Sequence, residues 1–95
     1  MKTAESLTAE RGQKYGPPID EFSTEYEMMD AWTARRDSAM EGSNLNERQE
    51  MALRQAVSMC IVKLVRAAQS PDVKDHWDDL QGYARCAKMI MCLEK

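Results

Sequence analysis

The sequence has few of the residues that interrupt helices or favour strands. Among 95 residues it contains four glycines, three prolines, one phenylalanine, two tryptophans and three tyrosines, whereas methionine occurs eight times. Scarce turn formers and aromatic residues argue against a β-sheet protein, and an alanine- and methionine-rich chain favours helices. Because a chain of this length holds one hydrophobic core, the composition predicts a single all-α domain over residues 1–95.

Long apolar runs and an excess of positive charge are also missing. The longest apolar stretch, residues 56–68, is interrupted by Ser58, Lys63 and Arg66 and is too short to span a membrane. A net charge of −3, from 13 basic and 16 acidic residues, argues against general nucleic-acid binding. Three cysteines and one histidine do not form a zinc-ligand pattern, and they predict free thiols in a reducing cytoplasm.

Turn-forming residues divide the chain into four predicted helices, one short and three longer: residues 3–14, 19–41, 46–69 and 73–93. Prolines after Gly16 and at Ser70-Pro71 are firm breaks. Asn46, with Gln49 three residues later, has the spacing of a capping box. Since short connections make consecutive helices antiparallel, we expect a small four-helix bundle-like domain.

Two of the longer helices carry apolar residues at helical spacing. The predicted buried stripes are Phe22, Tyr26, Met29 and Trp32 on one helix, and Trp77, Leu80, Ala84, Ala87 and Met91 on the other. Gly82 lies on a second face of the last helix, where it costs about 1 kcal/mol relative to alanine. A helix of a second copy packing across Gly82 would explain this cost, so we expect a homo-oligomer.

Antiparallel packing gathers charged residues of three helices at one end of the bundle. They are Glu21, Glu25, Lys63, Arg66, Asp75 and Asp79. Lys63 and Arg66 interrupt the most apolar segment, and because a buried charge is costly when unpaired, each needs an anionic partner. One interpretation is a structural ion network between these residues and the neighbouring acids.

The other interpretation is a pocket for a phosphorylated small molecule. Arginine binds phosphate oxygens bidentately, lysine adds a point charge, and an aromatic ring can stack on a base. The predicted ligand-binding residues are Arg11, Tyr15, Lys63, Arg66, Asp75, Asp79 and Tyr83.

Several motifs together carry a family resemblance: Arg11-Gly12-x-x-Tyr15-Gly16, Val62-Lys63-Leu64-Val65-Arg66-Ala67-Ala68, and Asp75-x-Trp77-x-Asp79-Leu80-x-Gly82-Tyr83-Ala84. They resemble a phage and prophage family, DUF6378-like, which is classified as a domain of unknown function. The resemblance implies a phage origin and a small helical protein in the cytoplasm of an infected bacterial host.

That family is distantly similar to the MazG-like all-α nucleoside-triphosphate pyrophosphohydrolases. This similarity implies four carboxylates on neighbouring helices that hold Mg²⁺, which activates water. If the chain is such an enzyme, the catalytic acids would be Glu21, Glu25, Asp75 and Asp79. However, Lys63 and Arg66 occupy the level where the family has acids, and a literal Glu47-x-x-Glu50 lies roughly 30 Å away along the helix.

Three hypotheses about function remain open. The favoured one is a protein that binds a nucleotide or a nucleotide-derived signalling molecule and sequesters it to counter host defence, without a catalytic residue, cofactor or metal. The second is a MazG-like pyrophosphohydrolase that uses Mg²⁺. The third is an inhibitor of a host protein by direct interaction.

Overall fold

The computed structural model describes residues 16–93, which form three α-helices and no β-strand. The helices are α1 (Pro18–Ser38), α2 (Glu47–Gln69) and α3 (Lys74–Ile90). The predicted all-helical class is confirmed, and these helices correspond to the three longer predicted ones. The predicted short helix over residues 3–14 lies outside the described residues. Within residues 16–93 no helix combines the length and the apolar character needed to cross a membrane.

The capping box at the start of α2 is confirmed. The Asn46 side chain accepts a hydrogen bond from the backbone N–H of Gln49 at 2.8 Å, and the Gln49 side chain accepts one from the backbone N–H of Asn46 at 3.3 Å. The Gln49 amide nitrogen also donates to the backbone carbonyl of Ile90 at 3.3 Å. One side chain therefore stabilises the start of α2 and holds the end of α3 against it.

We expect Gln49→Ala to lower the free energy of unfolding by about 1–2 kcal/mol, because it removes one cap and one interhelical hydrogen bond. Urea unfolding followed by circular dichroism measures this. Gln55→Ala, at an exposed position of the same helix, is the matched control. Its effect should stay within about 0.5 kcal/mol. Equal effects of the two substitutions would contradict the interhelical role of Gln49.

Two ion pairs join α1 to α2 and fix their direction. Arg66 Nε lies 2.9 Å from Glu21 Oε1, and Arg36 Nη2 lies 2.6 Å from Glu50 Oε1. Glu21 near the start of α1 pairs with Arg66 near the end of α2, and Arg36 near the end of α1 pairs with Glu50 near the start of α2. The two helices are therefore antiparallel, as predicted. The face that α1 turns toward α2 is therefore charged at both ends.

The apolar stripe predicted for α1 is wrong in its first half. Phe22 is 54% exposed and Tyr26 is 74% exposed, whereas Met29 and Trp32 are half-buried. The physical reason is that α1 carries two neighbouring faces at helical spacing. The face bearing the ion-pairing residues packs on α2, and only the part of the apolar stripe nearest to it is covered.

The helices α2 and α3 are also antiparallel, and α3 is rotated relative to the prediction. Its N-cap Val73 is covered, and the covered residues of the helix itself recur every three or four positions: His76, Leu80, Tyr83, Ala87 and Ile90. Trp77 and Ala84 are exposed, so their predicted burial is wrong. A Cβ added at Gly82 would meet no atom within 4 Å, so in this chain no described helix packs closely there.

The three helices form an open arrangement around α2. Both α1 and α3 pack on α2, but in the described chain they do not contact each other. The buried hydrophobic residues of residues 16–93 are Ala56, Ile61 and Ala67, all on α2. The described helices therefore share a small core and leave much apolar surface uncovered.

Candidate functional site

Lys63 is the best-enclosed cation at the charged end of the helices. Its ammonium Nζ lies 3.0 Å from Asp79 Oδ2, which joins α2 to α3. The Lys63 side chain is 14% exposed, whereas that of Asp79 is 49% exposed. An ammonium has three donors, and Asp79 satisfies one of them from the solvent side. The charge of Lys63 is thus partly removed from water and balanced by a half-exposed partner.

Arg66 lies one turn further along α2 and pairs with α1. Its Nε donates to Glu21 Oε1 at 2.9 Å, and the Glu21 side chain is fully buried. Two adjacent turns of α2 therefore place one cation toward α3 and the next toward α1. As the antiparallel order predicted, Lys63 pairs with an acid of α3 and Arg66 pairs with an acid of α1. These are the pairings expected of a structural ion network.

The other predicted site residues differ in their burial. Glu25 is half-buried one turn after Glu21. Tyr83 is half-buried one turn after Asp79, on the side of α3 that packs against α2, whereas Asp75 is exposed in the first turn of α3. Arg11 and Tyr15 lie outside the described residues.

A cleft of about 200 Å³ lies where the chain enters α1 and α2 ends. Its lining residues are Gly16, Pro17, Asp20, Glu21, Thr24, Val65, Ala68 and Gln69. Gly16 has a φ of +83°, and an added Cβ would come within 3.3 Å of Gln69 Oε1, so glycine permits both the turn and the contact. Glu21, which pairs with Arg66, borders the cleft, whereas Lys63 and Arg66 are not among its lining residues.

The charged end offers Mg²⁺ no assembled ligand set. Among residues 16–93 no group of three or more histidine, cysteine, aspartate or glutamate side chains could hold a metal ion. The literal Glu47-x-x-Glu50 is also occupied, because Glu50 accepts hydrogen bonds from Arg36 and Arg54. The two buried glutamates of the described residues, Glu21 and Glu50, therefore serve as partners of arginines.

A second ion network lies at the opposite end of α1, and sequence reasoning missed it. Arg36 donates to both Glu50 oxygens, with its Nε 3.1 Å from each, and Arg54 Nη2 lies 2.7 Å from Asp37 Oδ1. The hydrogen bond from Arg36 is the largest cause of a Glu50 pKa below its ordinary 4.5. The available signal was the position of Arg36, fifteen residues after Glu21 and thus on nearly the same helix face.

His76 is the other residue whose role the sequence did not reveal. It is buried in the first turn of α3, on the face that packs against α2. Its neighbours Asp75 and Trp77 are exposed, and a single histidine beside an aspartate gave no indication of burial. The spacing of His76, Leu80 and Tyr83 was the signal that identifies its face.

Comparison with curated proteins gives no match, and comparison with solved structures gives none either. Residues 1–91 match the family model described as a domain of unknown function, DUF6378. The match covers nearly the whole chain, including all three described helices and their charged end. The protein therefore belongs to the DUF6378 family.

Proposed function

We propose that this protein binds a phosphorylated small molecule, a nucleotide or a nucleotide-derived signal, without hydrolysing it. In this proposal it is a phage-encoded homo-oligomer that sequesters the ligand in the cytoplasm of the infected host and so counters host defence. Lys63 and Arg66 receive the phosphate, and Tyr83 lies within one turn of Asp79, beside the same end. The observation that carries the proposal is the enclosure of the Lys63 side chain, which is 14% exposed and pairs with one half-exposed carboxylate.

The enclosure of Lys63 favours an anionic ligand over a purely structural role. Removing an ammonium from water is costly, and a single half-exposed carboxylate offsets that cost only in part. A phosphate oxygen can add charge-assisted hydrogen bonds to the donors that Asp79 does not occupy. Binding would thus stabilise a charge that the fold has already partly desolvated.

The cleft bordered by Glu21, the partner of Arg66, supports the same proposal by its size and lining. A volume of about 200 Å³ is below that of typical drug-sized pockets and suits one ring system, not a whole nucleotide. Pro17, Val65 and Ala68 provide apolar contact, Thr24 and Gln69 provide uncharged polar groups, and Asp20 and Glu21 add two carboxylates. In the proposed complex the phosphate lies on the cations and the base extends toward this cleft.

Isothermal titration with ATP, GTP, cyclic AMP and cyclic di-AMP tests the proposal. We expect at least one probe to bind, and Lys63→Ala to weaken that binding about 10- to 100-fold, as expected for charge-assisted hydrogen bonds. Asp79→Asn should strengthen binding because it removes the competing carboxylate. Lys74→Ala is the matched control, since Lys74 is an exposed lysine that pairs with Asp78. The affinity of this variant for the probe should change less than twofold.

Four outcomes would contradict the proposal. If no probe binds, or if Lys63→Ala binds as tightly as the unchanged protein, the cationic site is structural. Breakdown of ATP or GTP in the presence of Mg²⁺ would instead favour the MazG-like pyrophosphohydrolase. A host protein captured by the chain, with no affinity for any of the four probes, would favour the direct inhibitor.

A further inference from the structure

An exposed apolar stripe runs along the first half of α1. Ile19 is 78% exposed, and Phe22 and Tyr26 are more than half exposed, at spacings of three and four residues. Three large side chains on one exposed face form a patch of the kind that marks an interaction surface. The charges near the stripe are acidic, with exposed Glu27 and Asp30 on α1.

A second exposed face lies on α3 and combines apolar side chains with a basic residue, opposite in charge to the acids of α1. Trp77 is 43% exposed, Ala84 is exposed one heptad later, and exposed Lys88 follows one further turn along. The ring of Trp77 is held in place by a hydrogen bond of 2.9 Å from its Nε1 to the carbonyl of Pro71. Lys88 forms no ion pair within residues 16–93, so its ammonium is available to a partner.

The two faces match residue by residue in spacing. On α1, Ile19, Tyr26 and Asp30 are separated by seven and four residues, and on α3 the same intervals separate Trp77, Ala84 and Lys88. A parallel pair of these helices brings the large ring of Tyr26 over the small side chain of Ala84. It also places the Asp30 carboxylate beside the Lys88 ammonium.

We propose that the α1 stripe of one copy packs in parallel on the α3 face of a second copy of this chain. The inference rests on the homo-oligomer of the proposed function but not on its ligand. Among residues 16–93 α1 and α3 do not pack on each other, so neither helix covers the exposed face of the other. Opposite charges at Asp30 and Lys88 favour self-association through these faces over packing of like faces, which would bring identical charges together.

Charge reversal tests the pairing in the full-length chain without any ligand. By light scattering we expect the unchanged protein to exceed the 10.9 kDa of one chain. Asp30→Lys or Lys88→Glu alone should raise the dissociation constant about tenfold, because each places like charges together at every contact. An equimolar mixture of the two variants should restore association, since each contact then joins opposite charges.

Two further variants separate a lost interface from a lost fold. Glu41→Lys has the same charge change in an exposed loop and should associate like the unchanged protein. Tyr26→Glu should give a single chain with unchanged helix content by circular dichroism. A mass of one chain for the unchanged protein, or no recovery in the mixture, would overturn the proposal. Loss of helix content in monomeric Tyr26→Glu would show instead that residues of the same chain cover the stripe.

Discussion

Replacing Glu21 by alanine is expected to lower the free energy of unfolding by about 2–4 kcal/mol, a large part of the stability of a small domain. The Glu21 carboxylate is fully buried and accepts a hydrogen bond from Arg66 Nε at 2.9 Å. Its removal leaves a guanidinium that is only 21% exposed without this partner. The partial exposure of Arg66 keeps the expected loss below that of a fully buried pair.

Two companion variants identify charge pairing as the cause of this loss. Glu21→Gln keeps the size and an acceptor oxygen, so we expect roughly half of the alanine effect. Combining Glu21→Met with Arg66→Met removes both charges and should restore most of the stability, because apolar replacements of a buried pair are often neutral. Urea unfolding at one fixed protein concentration measures all of them, because the proposed self-association would add to stability.

A small effect would change the interpretation of the charged end. If the free energy of unfolding of Glu21→Ala lies within about 0.5 kcal/mol of that of the unchanged protein, the Glu21 carboxylate does not stabilise Arg66. The α1–α2 contact would then depend on the network at Glu50. The result is independent of ligand binding, because it is measured on the protein alone.

Local signals in the sequence predicted the helices well. Asn46 and Gln49 predicted the start of α2 because a capping box depends on residues only three positions apart. Ser70-Pro71 predicted the end of α2 because proline cannot continue a helix. The pairing of Lys63 and Arg66 with acids followed from the cost of buried charge and from the antiparallel order of short-linked helices.

The orientation of each helix about its axis could not be predicted in the same way. Phe22 and Tyr26 have helical spacing, but so do Glu21 and Arg36 on the adjacent face. Which face packs on α2 depends on partners such as Glu50, which lies fourteen residues beyond Arg36. Periodicity identifies a face, whereas long-range ion pairs determine which face is covered.

The open arrangement of the described helices bears on the proposed ligand binding. A chain whose buried apolar residues in the described part are two alanines and one isoleucine has little core to hold a rigid cleft by itself. Association through α1 and α3 would cover the large exposed side chains and hold the helices that carry Glu21 and Asp79. We therefore expect oligomer formation and ligand affinity to rise and fall together.

Acid should weaken the protein through Glu50 more than through an ordinary surface glutamate. The hydrogen bond from Arg36 is the main cause of a Glu50 pKa below 4.5 in the folded protein, and the hydrogen bond from Arg54 acts in the same direction. A carboxyl group whose pKa is lowered by folding stabilises the protein above its ordinary pKa. This stabilisation is lost as the pH falls below 4.5 and through the lowered pKa of Glu50.

Glu50→Gln is the matched variant because it keeps the shape of the side chain and cannot titrate. Urea midpoints of both proteins, measured from about pH 7 to pH 3, should differ most near neutral pH and converge below the ordinary carboxyl pKa. A difference that stays constant over this range would contradict the prediction, since it would mean that Glu50 contributes by shape and not by charge. Convergence would show that the Arg36–Glu50–Arg54 network holds the far end of α1 on α2 by its charge.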